Sequence, residues 1–186
     1  MTAPHETPMT GPTADFAATL AAALPVIETE RLSLRAPTLA DFPLWADIFT
    51  GPAGPHLGGP VSREDAFTEF AASLGTWLLR GHGPWAVDSR EGVTLGFVLI
   101  GFEPGDQEPE LGFLFAPHGE GRGYASEAAR AVLDHAAALG WHRLVSYIDP
   151  DNTRSMRLAA RLGATADAAA VDGCTVWVHN LQGHAA

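Results

Sequence analysis

Cysteine is nearly absent from this chain of 186 residues, and long apolar runs are missing. The single cysteine, Cys174, cannot form a disulfide within the chain, which favours a cytoplasmic location. No apolar run approaches the roughly 18 residues of a membrane-spanning helix. The N-terminus has no basic stretch followed by an apolar core, so it does not predict a secretory signal. We therefore expect a cytoplasmic protein that does not use a membrane.

Basic residues are also scarce, since 11 Lys and Arg stand against 22 Asp and Glu, a formal net charge of −11. Nucleic-acid binding needs clustered Lys and Arg, so this balance argues against a nucleic-acid partner. An acidic protein attracts cationic or amine-bearing molecules by long-range steering. Acidity that serves only solubility is an equally good account, so the charge alone does not choose between them.

Apolar residues are plentiful enough for a core, at 46% of the chain against 18% charged residues. The length suits one domain. Residues 1–25, rich in Pro and Ala, predict a disordered or loosely helical arm, and residues 26–183 predict the domain itself. The eight histidines show no metal-ligand spacing, so we expect no metal.

Apolar periodicity and turn residues predict the order of the helices and strands. Two capping boxes, Thr38 with Asp41 and Ser62 with Asp65, predict the starts of two helices. The other predicted elements are strands at 31–37, 84–89, 93–102, 109–117, 143–148 and 174–181, and helices at 125–140 and 153–163. This order predicts a mixed α+β domain with one, partly antiparallel sheet.

A glycine-rich turn, "HGEGRG" at 118–123, stands between a predicted strand ending near Phe115 and a helix beginning near Ala125. Glycine lets the backbone adopt positive φ and approach a ligand closely. The free N–H groups and the dipole of a helix N-terminus attract an anion. The arrangement therefore suits a pyrophosphate. It is not a dinucleotide fingerprint, which would need glycine in place of Ser126, and it is not a Walker loop.

From Gly121 to Ala129 the run resembles the acetyl-CoA pyrophosphate loop of the GNAT N-acetyltransferases, whose pattern is Gln/Arg-x-x-Gly-x-Gly/Ala. Three other segments resemble the branch that includes the ribosomal-protein N-terminal acetyltransferases, in the same order: "ETERLSLRAP", "ELGFLFAP" and "DPDNTRSMRLAARLGA". Together the segments cover roughly residues 26–165. The sequence departs from the pattern at His118, where the family has Gln or Arg, and the side-chain contribution at that position stays open.

The resemblance implies a single GNAT-like domain, with a mixed, mostly antiparallel central sheet flanked by helices on both faces. It also implies that acetyl-CoA is the cosubstrate and binds where the strand ending near Phe115 splays from the strand at 143–148. The pantetheine arm would bind to the backbone of Phe113, Leu114 and Phe115. The pyrophosphate would bind to the N–H groups of Gly121, Arg122, Gly123, Tyr124, Ala125 and Ser126. The Arg122 side chain is equally well a phosphate contact or an exposed loop residue.

Direct acetyl transfer needs a neutral amine and a proton for the leaving thiolate. The resemblance implies Ser155 as the acid near the CoA sulfur and Asn152 as a ligand of the pantetheine, while a first-turn serine and an N-cap are the structural alternatives. Glu110 is the candidate base, directly or through water, and a solvated strand-edge carboxylate is the alternative. Tyr124 and Tyr147 are further candidate acids, although aromatic packing is the stronger interpretation for both.

The resemblance implies an amine acceptor, either the N-terminus of a protein or peptide or a small molecule such as a polyamine or an aminoglycoside. The family shapes its acceptor site with the loop "GPHLGGP" at 54–60, so His56 is either a substrate contact or a surface histidine. A non-catalytic module that binds or senses acyl-CoA is the alternative function. Because GNAT domains often pair, a second copy of the chain is a candidate partner in a homodimer.

Overall fold

The helices and strands follow the order that the periodicity predicts, with two strands added. The computed structural model describes residues 3–52, 54–57, 59 and 61–182. Its α-helices are α1 (Pro12–Ala22), α2 (Phe42–Thr50), α3 (Arg63–Arg80), α4 (Tyr124–Ala138) and α5 (Thr153–Arg161). Its strands are β1 (Ile27–Glu28), β2 (Leu32–Arg35), β3 (Pro84–Ser89), β4 (Thr94–Gly101), β5 (Glu110–Phe115), β6 (Arg143–Ile148), β7 (Thr165–Val171) and β8 (Cys174–Asn180).

The strands form one sheet in the order β1-β2-β3-β4-β5-β6-β8-β7. Every neighbouring pair is antiparallel except β5 and β6, which run parallel because α4 connects them. Helices cover both faces of this sheet, so the predicted α+β class with a mostly antiparallel sheet is confirmed. None of the helices in the described residues combines the length and apolar character that crossing a bilayer requires.

The helix starts follow from local side-chain chemistry. Thr38 and Asp41 form the predicted capping box, and Pro43 lies in the first turn of α2, where its missing N–H is harmless. The Ser62 hydroxyl caps α3 by accepting the Asp65 N–H. Gly81 ends the same helix in the left-handed conformation that glycine favours.

Two apolar cores lie on opposite faces of the sheet. On one face, α4 packs Tyr124, Ala129, Val132 and Leu133 against alternate strand residues, which are Leu32, Leu34, Trp85, Val87, Val98, Ile100, Leu111 and Leu144. On the other face, α2 and α3 pack Phe42, Trp45, Phe49 and Phe70 against the intervening strand residues, which are Ala86, Phe97, Leu99 and Leu114. The two-residue period of the strands divides the side chains between these cores.

The sequence interpretation missed β1 and β7. We predicted one last strand, whereas β8 also pairs with β7 through a hairpin whose turn is Asp172–Gly173. Both turn residues have positive φ, 48° and 84°, the conformation for which Asp-Gly pairs are favoured in hairpins. The Asp-Gly signal was present in the sequence, but the alanines of 166–170 have weak strand propensity and hid β7.

The N-terminal residues form α1, whose side chains are largely exposed, including Phe16 and Leu20. The segment before α1 is attached to the domain, because the buried Glu6 carboxylate accepts two hydrogen bonds from the Arg63 guanidinium of α3. The His5 ring also packs edge-on against Phe67. Residues 1, 2, 53, 58, 60 and 183 of the ranges predicted for the arm and the domain lie outside the described residues.

A charged cluster ties β2 and β3 to the start of α2. The Arg35 guanidinium donates to both Asp41 oxygens at 2.8 and 2.9 Å, and its Nε donates to Asp88 at 2.7 Å. Burial alone would raise the pKa of Asp41, but the hydrogen bonds from Arg35 and Thr38 hold that pKa below its usual value. Asp41 therefore stabilises the fold in its ionised form.

Asp41→Asn is expected to lower the free energy of unfolding by about 2–4 kcal/mol at pH 7, because the Arg35 guanidinium then keeps Asp88 but loses the charge of Asp41. Because the folded-state pKa of Asp41 is lowered, this contribution is complete above the unfolded pKa, and the difference between wild type and variant should shrink below about pH 4. Urea unfolding at pH 7 and pH 3 measures it. Asp134→Asn, an exposed position on α4, is the control, and equal destabilisation by both changes would contradict the account.

Candidate active site

Strands β5 and β6 separate almost at once after they meet. They pair only at Glu110 with Val145, and the Val145 N–H donates to the Pro109 carbonyl at 3.1 Å. Beyond that position side chains replace the backbone ladder. The Ser146 hydroxyl donates to the Leu111 carbonyl at 2.6 Å, and the Glu110 carboxylate accepts the Tyr147 N–H at 3.2 Å. The groove-side backbone edge of β5 after Leu111 is therefore left without a partner strand.

A groove of about 850 Å³ runs from this edge to the glycine-rich turn. Its walls are Phe113–Phe115 of β5, the loop from Pro117, the first turn of α4 and the first two turns of α5. Nine of the ten predicted cofactor positions line it: Phe113, Leu114, Phe115, Gly121, Gly123, Tyr124, Ala125, Ser126 and Asn152. The predicted acid Ser155 lines it as well. The structure therefore brings together residues that are 42 positions apart in the sequence.

The glycine-rich turn, most of which lines this groove, has N–H groups for which the described residues provide no backbone acceptor. Gly121 and Gly123 have φ of 74° and 79°, and Gly123 is the N-cap residue of α4. Within the described residues, the N–H groups of 121–126 have no backbone acceptor. Gly119 serves packing instead, because a Cβ there would lie 2.7 Å from the Leu95 carbonyl oxygen. Such a row of donors at a helix N-terminus fits a pyrophosphate.

A carboxylate clamp holds the turn in place. Glu127 of α4 accepts hydrogen bonds from the Thr29 hydroxyl at 2.6 Å and from the Arg31 N–H at 3.0 Å, and it forms an ion pair with the Arg31 guanidinium. Arg31 in turn donates to the Arg122 carbonyl at 3.0 Å. The Arg122 carbonyl and the Gly123 N–H belong to the same peptide group, and a trans peptide points these two groups in opposite directions. The Gly123 N–H therefore faces away from Arg31.

Two side chains of the turn have structural contacts. The Arg122 guanidinium lies over the Tyr124 ring, 5.0 Å from its centre, and Arg122 is not among the residues that line the groove. His118, where the sequence departs from the family pattern, has its Nε2 2.9 Å from the Thr94 carbonyl oxygen. The imidazole therefore connects the turn to β4 and leaves the N–H groups of the turn unaffected.

The groove also contains cations that the sequence interpretation did not single out. Arg154 and Arg161 of α5 line it, and Arg154 forms an ion pair at 2.7 Å with Glu120 on the opposite wall. The presence of Arg154 in the first turn of α5 and of Arg161 at its last residue was visible in the sequence. Their position beside the turn was not, because α5 lies more than 20 residues beyond the end of the glycine run.

Asn152 and Ser155 lie together at the start of α5. The Asn152 side-chain oxygen accepts the Ser155 N–H at 3.1 Å, so the predicted N-cap is present. Both side chains are half-buried. The hydroxyl of Tyr147, one of the other candidate acids, accepts hydrogen bonds from the N–H groups of Gln107 and Glu108, each at 3.1 Å. It therefore binds the loop before β5.

A second cavity, of about 500 Å³, adjoins the groove. Six residues line both spaces: His56, Leu57, Phe113, Leu114, Asn152 and Ser155. The second cavity carries carboxylates from four parts of the chain, which are Asp65 and Glu69 of α3, Glu103 and Asp106 of the β4–β5 loop, Glu110 of β5, and Asp172 of the β7–β8 turn. No group of acidic, His or Cys side chains in the described residues converges closely enough to hold a metal ion.

Two carboxyl groups of the second cavity, Glu103 and Glu110, have raised pKa values. Burial raises the pKa of Glu110 to about 8, against the lowering effect of the Tyr147 N–H, and the charges of Asp106 and Glu103 add to the rise. Loss of hydration also raises the pKa of Glu103 to about 7, with contributions from Glu69 and Asp106. At neutral pH the raised pKa keeps Glu110 mostly protonated.

His56 lies where the groove and the second cavity meet. It belongs to the turn Gly54–Leu57 between α2 and α3, and its Nδ1 lies 3.0 Å from an Asp149 oxygen. Positions 58 and 60 of the predicted acceptor loop lie outside the described residues. Sequence reasoning singled out His56 but not its contact with Asp149, because no local pattern joins positions that are 93 residues apart.

Comparison with known proteins agrees with this geometry. The family model described as an acetyltransferase (GNAT) domain matches residues 31–165. A crystal structure of an acetyltransferase from Agrobacterium tumefaciens is similar at 37% identity and a TM-score of 0.79, over 84% of this chain and 95% of that one. A RimL ribosomal L7/L12 α-N-protein acetyltransferase in complex with coenzyme A has the same fold, with a TM-score of 0.68 at 19% identity, over 84% of this chain and 98% of that one.

Among curated proteins, the chain is similar to an uncharacterized N-acetyltransferase, YnaD, of Bacillus subtilis, at 31% identity over 74 residues. That match spans 39% of this chain and 44% of the relative, less than half the length of either. The family model spans far more, including β2, the glycine-rich turn and α5. The chain therefore belongs to the GNAT acetyltransferase family.

Proposed function

We propose that this protein transfers the acetyl group of acetyl-CoA to a primary amine that carries additional positive charge. The observation that carries the proposal is the meeting of the two cavities. One cavity presents anion-binding N–H groups, the other presents carboxylates, and both include Asn152 and Ser155 in their walls. An anionic cosubstrate and a cationic acceptor entering from opposite sides would meet beside these residues.

The residues of the groove fit acetyl-CoA, which would supply a thioester-linked acetyl group when bound. The N–H groups of 121–126 and the dipole of α4 would hold the pyrophosphate. The free edge of β5 from Phe113 to Phe115 would hydrogen-bond the amides of the pantetheine, with Asn152 on the facing wall. Arg154 and Arg161 would neutralise further phosphate charge.

Ser155 is proposed as the acid that protonates the leaving thiolate. It lies in the wall shared by the two cavities, and its N–H is already fixed by Asn152, which sets the direction of the first turn of α5. A thiol with a pKa near 8.5 is an indifferent leaving group at neutral pH, so a nearby hydroxyl donor would speed its departure. Glu110, the other predicted catalytic residue, has a pKa raised to about 8, so it would accept a proton from the amine, directly or through water, mainly above that pH.

The acidic cavity supports a cationic acceptor. Five carboxylates from α3, the β4–β5 loop and β5 face a space of about 500 Å³, while its described lining contains no Lys or Arg. A bound ammonium would favour the ionised forms of Glu103 and Glu110, and the two carboxyls would in turn hold the charge that is not acetylated. This chemistry fits a polyamine-like molecule, or a peptide N-terminus that is followed by a basic side chain.

Acetyl-CoA at 100 times its dissociation constant is expected to stabilise the protein by about 2.7 kcal/mol, a rise in melting temperature of roughly 5–10 °C, whereas ATP should give much less. Gly121→Ala should weaken this stabilisation, because alanine strains the positive φ of the turn. Gly140→Ala changes a glycine at the other end of α4 that also has positive φ, 85°. It should lower the free energy of unfolding by a similar ~1 kcal/mol but leave the rise in melting temperature with acetyl-CoA unchanged. Equal responses in the two variants would contradict the proposed phosphate cradle.

Ser155→Ala is expected to lower kcat for amine acetylation about 100-fold, with the KM for acetyl-CoA little changed, since it removes a proton donor and not a binding contact. Ser155→Thr retains a hydroxyl and should recover part of the rate. Thiol release over a panel of primary amines measures both variants. If acetyl-CoA stabilised the wild-type protein but no amine was acetylated, a non-catalytic acyl-CoA-binding module would be the better account.

Glu103→Gln is expected to raise the KM of a diamine or triamine about 10-fold, because the second ammonium loses one charge-assisted contact worth roughly 1.5 kcal/mol. The KM of a monoamine of similar length should change much less. Steady-state kinetics with the two acceptors at low ionic strength test this. Glu64→Gln, an exposed acid outside the cavity on the first turn of α3, is the matched control. The same KM change for both acceptors would argue against the acidic cavity as the specificity site.

A further inference from the structure

The contact between His56 and Asp149 has the geometry of a base held by a carboxylate. Asp149 follows β6 directly, and one of its oxygens accepts the Asp151 N–H at 2.8 Å while the other lies 3.0 Å from His56 Nδ1. Each oxygen of the carboxylate therefore has one of these partners. The hydrogen bond from the Asp151 backbone and the contact with His56 lower the pKa of Asp149, so the carboxylate is ionised at neutral pH.

An ionised carboxylate beside Nδ1 selects one tautomer of the imidazole. Asp149 can only accept a hydrogen bond, so the neutral His56 ring carries its proton on Nδ1 and keeps a lone pair on Nε2. The ring is neither buried nor fully exposed, and it lines both the groove and the acidic cavity. An oriented imidazole with a free Nε2 is the usual form of a general base.

The other candidate base is poorly placed for work at neutral pH. Glu110, with its pKa near 8, is mostly protonated there, and one of its oxygens already accepts the Tyr147 N–H that holds β5 and β6 together. Imidazoles titrate between pH 5 and 8, the range in which a base can both accept and release a proton readily. The acidic cavity therefore holds an amine well but lacks a ready proton acceptor of its own at pH 7.

We propose that His56 Nε2 is the general base that removes the amine proton, and that Asp149 is the residue that positions it. The proposal rests on the proposed acetyl transfer. The amine nitrogen bonds to the acetyl carbon as the carbon–sulfur bond breaks. The ammonium nitrogen loses one proton to His56 Nε2 before the attack and a second proton as the new bond forms, and His56 releases both to solvent. The sulfur takes one proton from Ser155, which regains it from solvent. Charge and atoms balance without a further reagent.

Several charged groups share the two cavities with His56 and are part of its electrostatic surroundings. On the groove side these are Asp47, Glu120, Asp151, Arg154 and Arg161. On the acceptor side they are Asp65, Glu69, Glu103, Asp106, Glu110 and Asp172. Asp149 is the one that the structure places within hydrogen-bond distance of the imidazole, among the described residues.

The test compares kcat/KM for amine acetylation from pH 5.5 to 9.5 in the wild type, His56→Asn and Glu110→Gln. Asparagine retains an N–H donor near the Nδ1 position and loses the base, so the contact with Asp149 can persist. We expect His56→Asn to lower kcat/KM about 100-fold at pH 7, and less at pH 9, where more of the amine is already neutral. Glu110→Gln should alter the profile mainly above pH 8. His142→Asn, an exposed histidine after α4, should match the wild type.

The positioning role of Asp149 has its own readout. Asp149→Asn should lower kcat about 10-fold, change the tautomer of His56 in ¹⁵N NMR, and be partly rescued by Asp149→Glu. For His56→Ala, added imidazole should restore part of the rate. An unchanged pH profile and rate in His56→Asn, with wild-type stabilisation by acetyl-CoA, would overturn the proposed base alone. Absence of transfer by the wild-type protein would overturn the proposed function, and the base with it.

Discussion

The separation of β5 from β6 is the feature on which the rest of the site depends. The strands share one paired position, Glu110 with Val145, and then diverge. Backbone groups left by the divergence would be costly if they were buried without partners. The Ser146 hydroxyl and the Glu110 carboxylate satisfy two of them, and the groove gives the remaining edge of β5 access to a ligand. One irregularity in the sheet thus opens both cavities at their common wall.

The same constraint explains the properties of Glu110. It is buried because it connects two strands at the point of divergence, and burial beside Asp106 and Glu103 raises its pKa to about 8. A carboxyl that is held protonated weakens the fold as pH rises towards that value, so structure and reactivity are coupled at this residue. At the opposite end of the groove, Glu127 is paired with Arg31 and holds the glycine-rich turn with an ionised carboxylate. The ion-paired Glu127 therefore stabilises the turn in its ionised form, whereas the buried Glu110 is held mostly in its protonated form.

Much of the fold was predictable because its signals are local. Capping boxes at Thr38 and Ser62, the apolar stripe of α4 and the glycines at 121 and 123 act within one or two turns of chain, and the structure has each of them where the sequence indicated. Strand β7 was missed because its alanines have little strand propensity, and only pairing with β8 makes it a strand. The candidate cofactor positions lie in three short segments, and all of them except Arg122 line the groove. Their role as cofactor ligands stays a prediction.

The sequence by itself determined the order of the elements, the α+β class and the segments that form the groove, because helix caps, period-two alternation and glycine conformations depend on near neighbours. The tertiary structure decided which distant side chains meet. The contact of His56 with Asp149, the clamp from Glu127 to Arg31 and the gathering of acids from α3, the β4–β5 loop and β5 join positions that are tens of residues apart. These contacts depend on how the sheet and helices pack in space, and no local pattern records that packing.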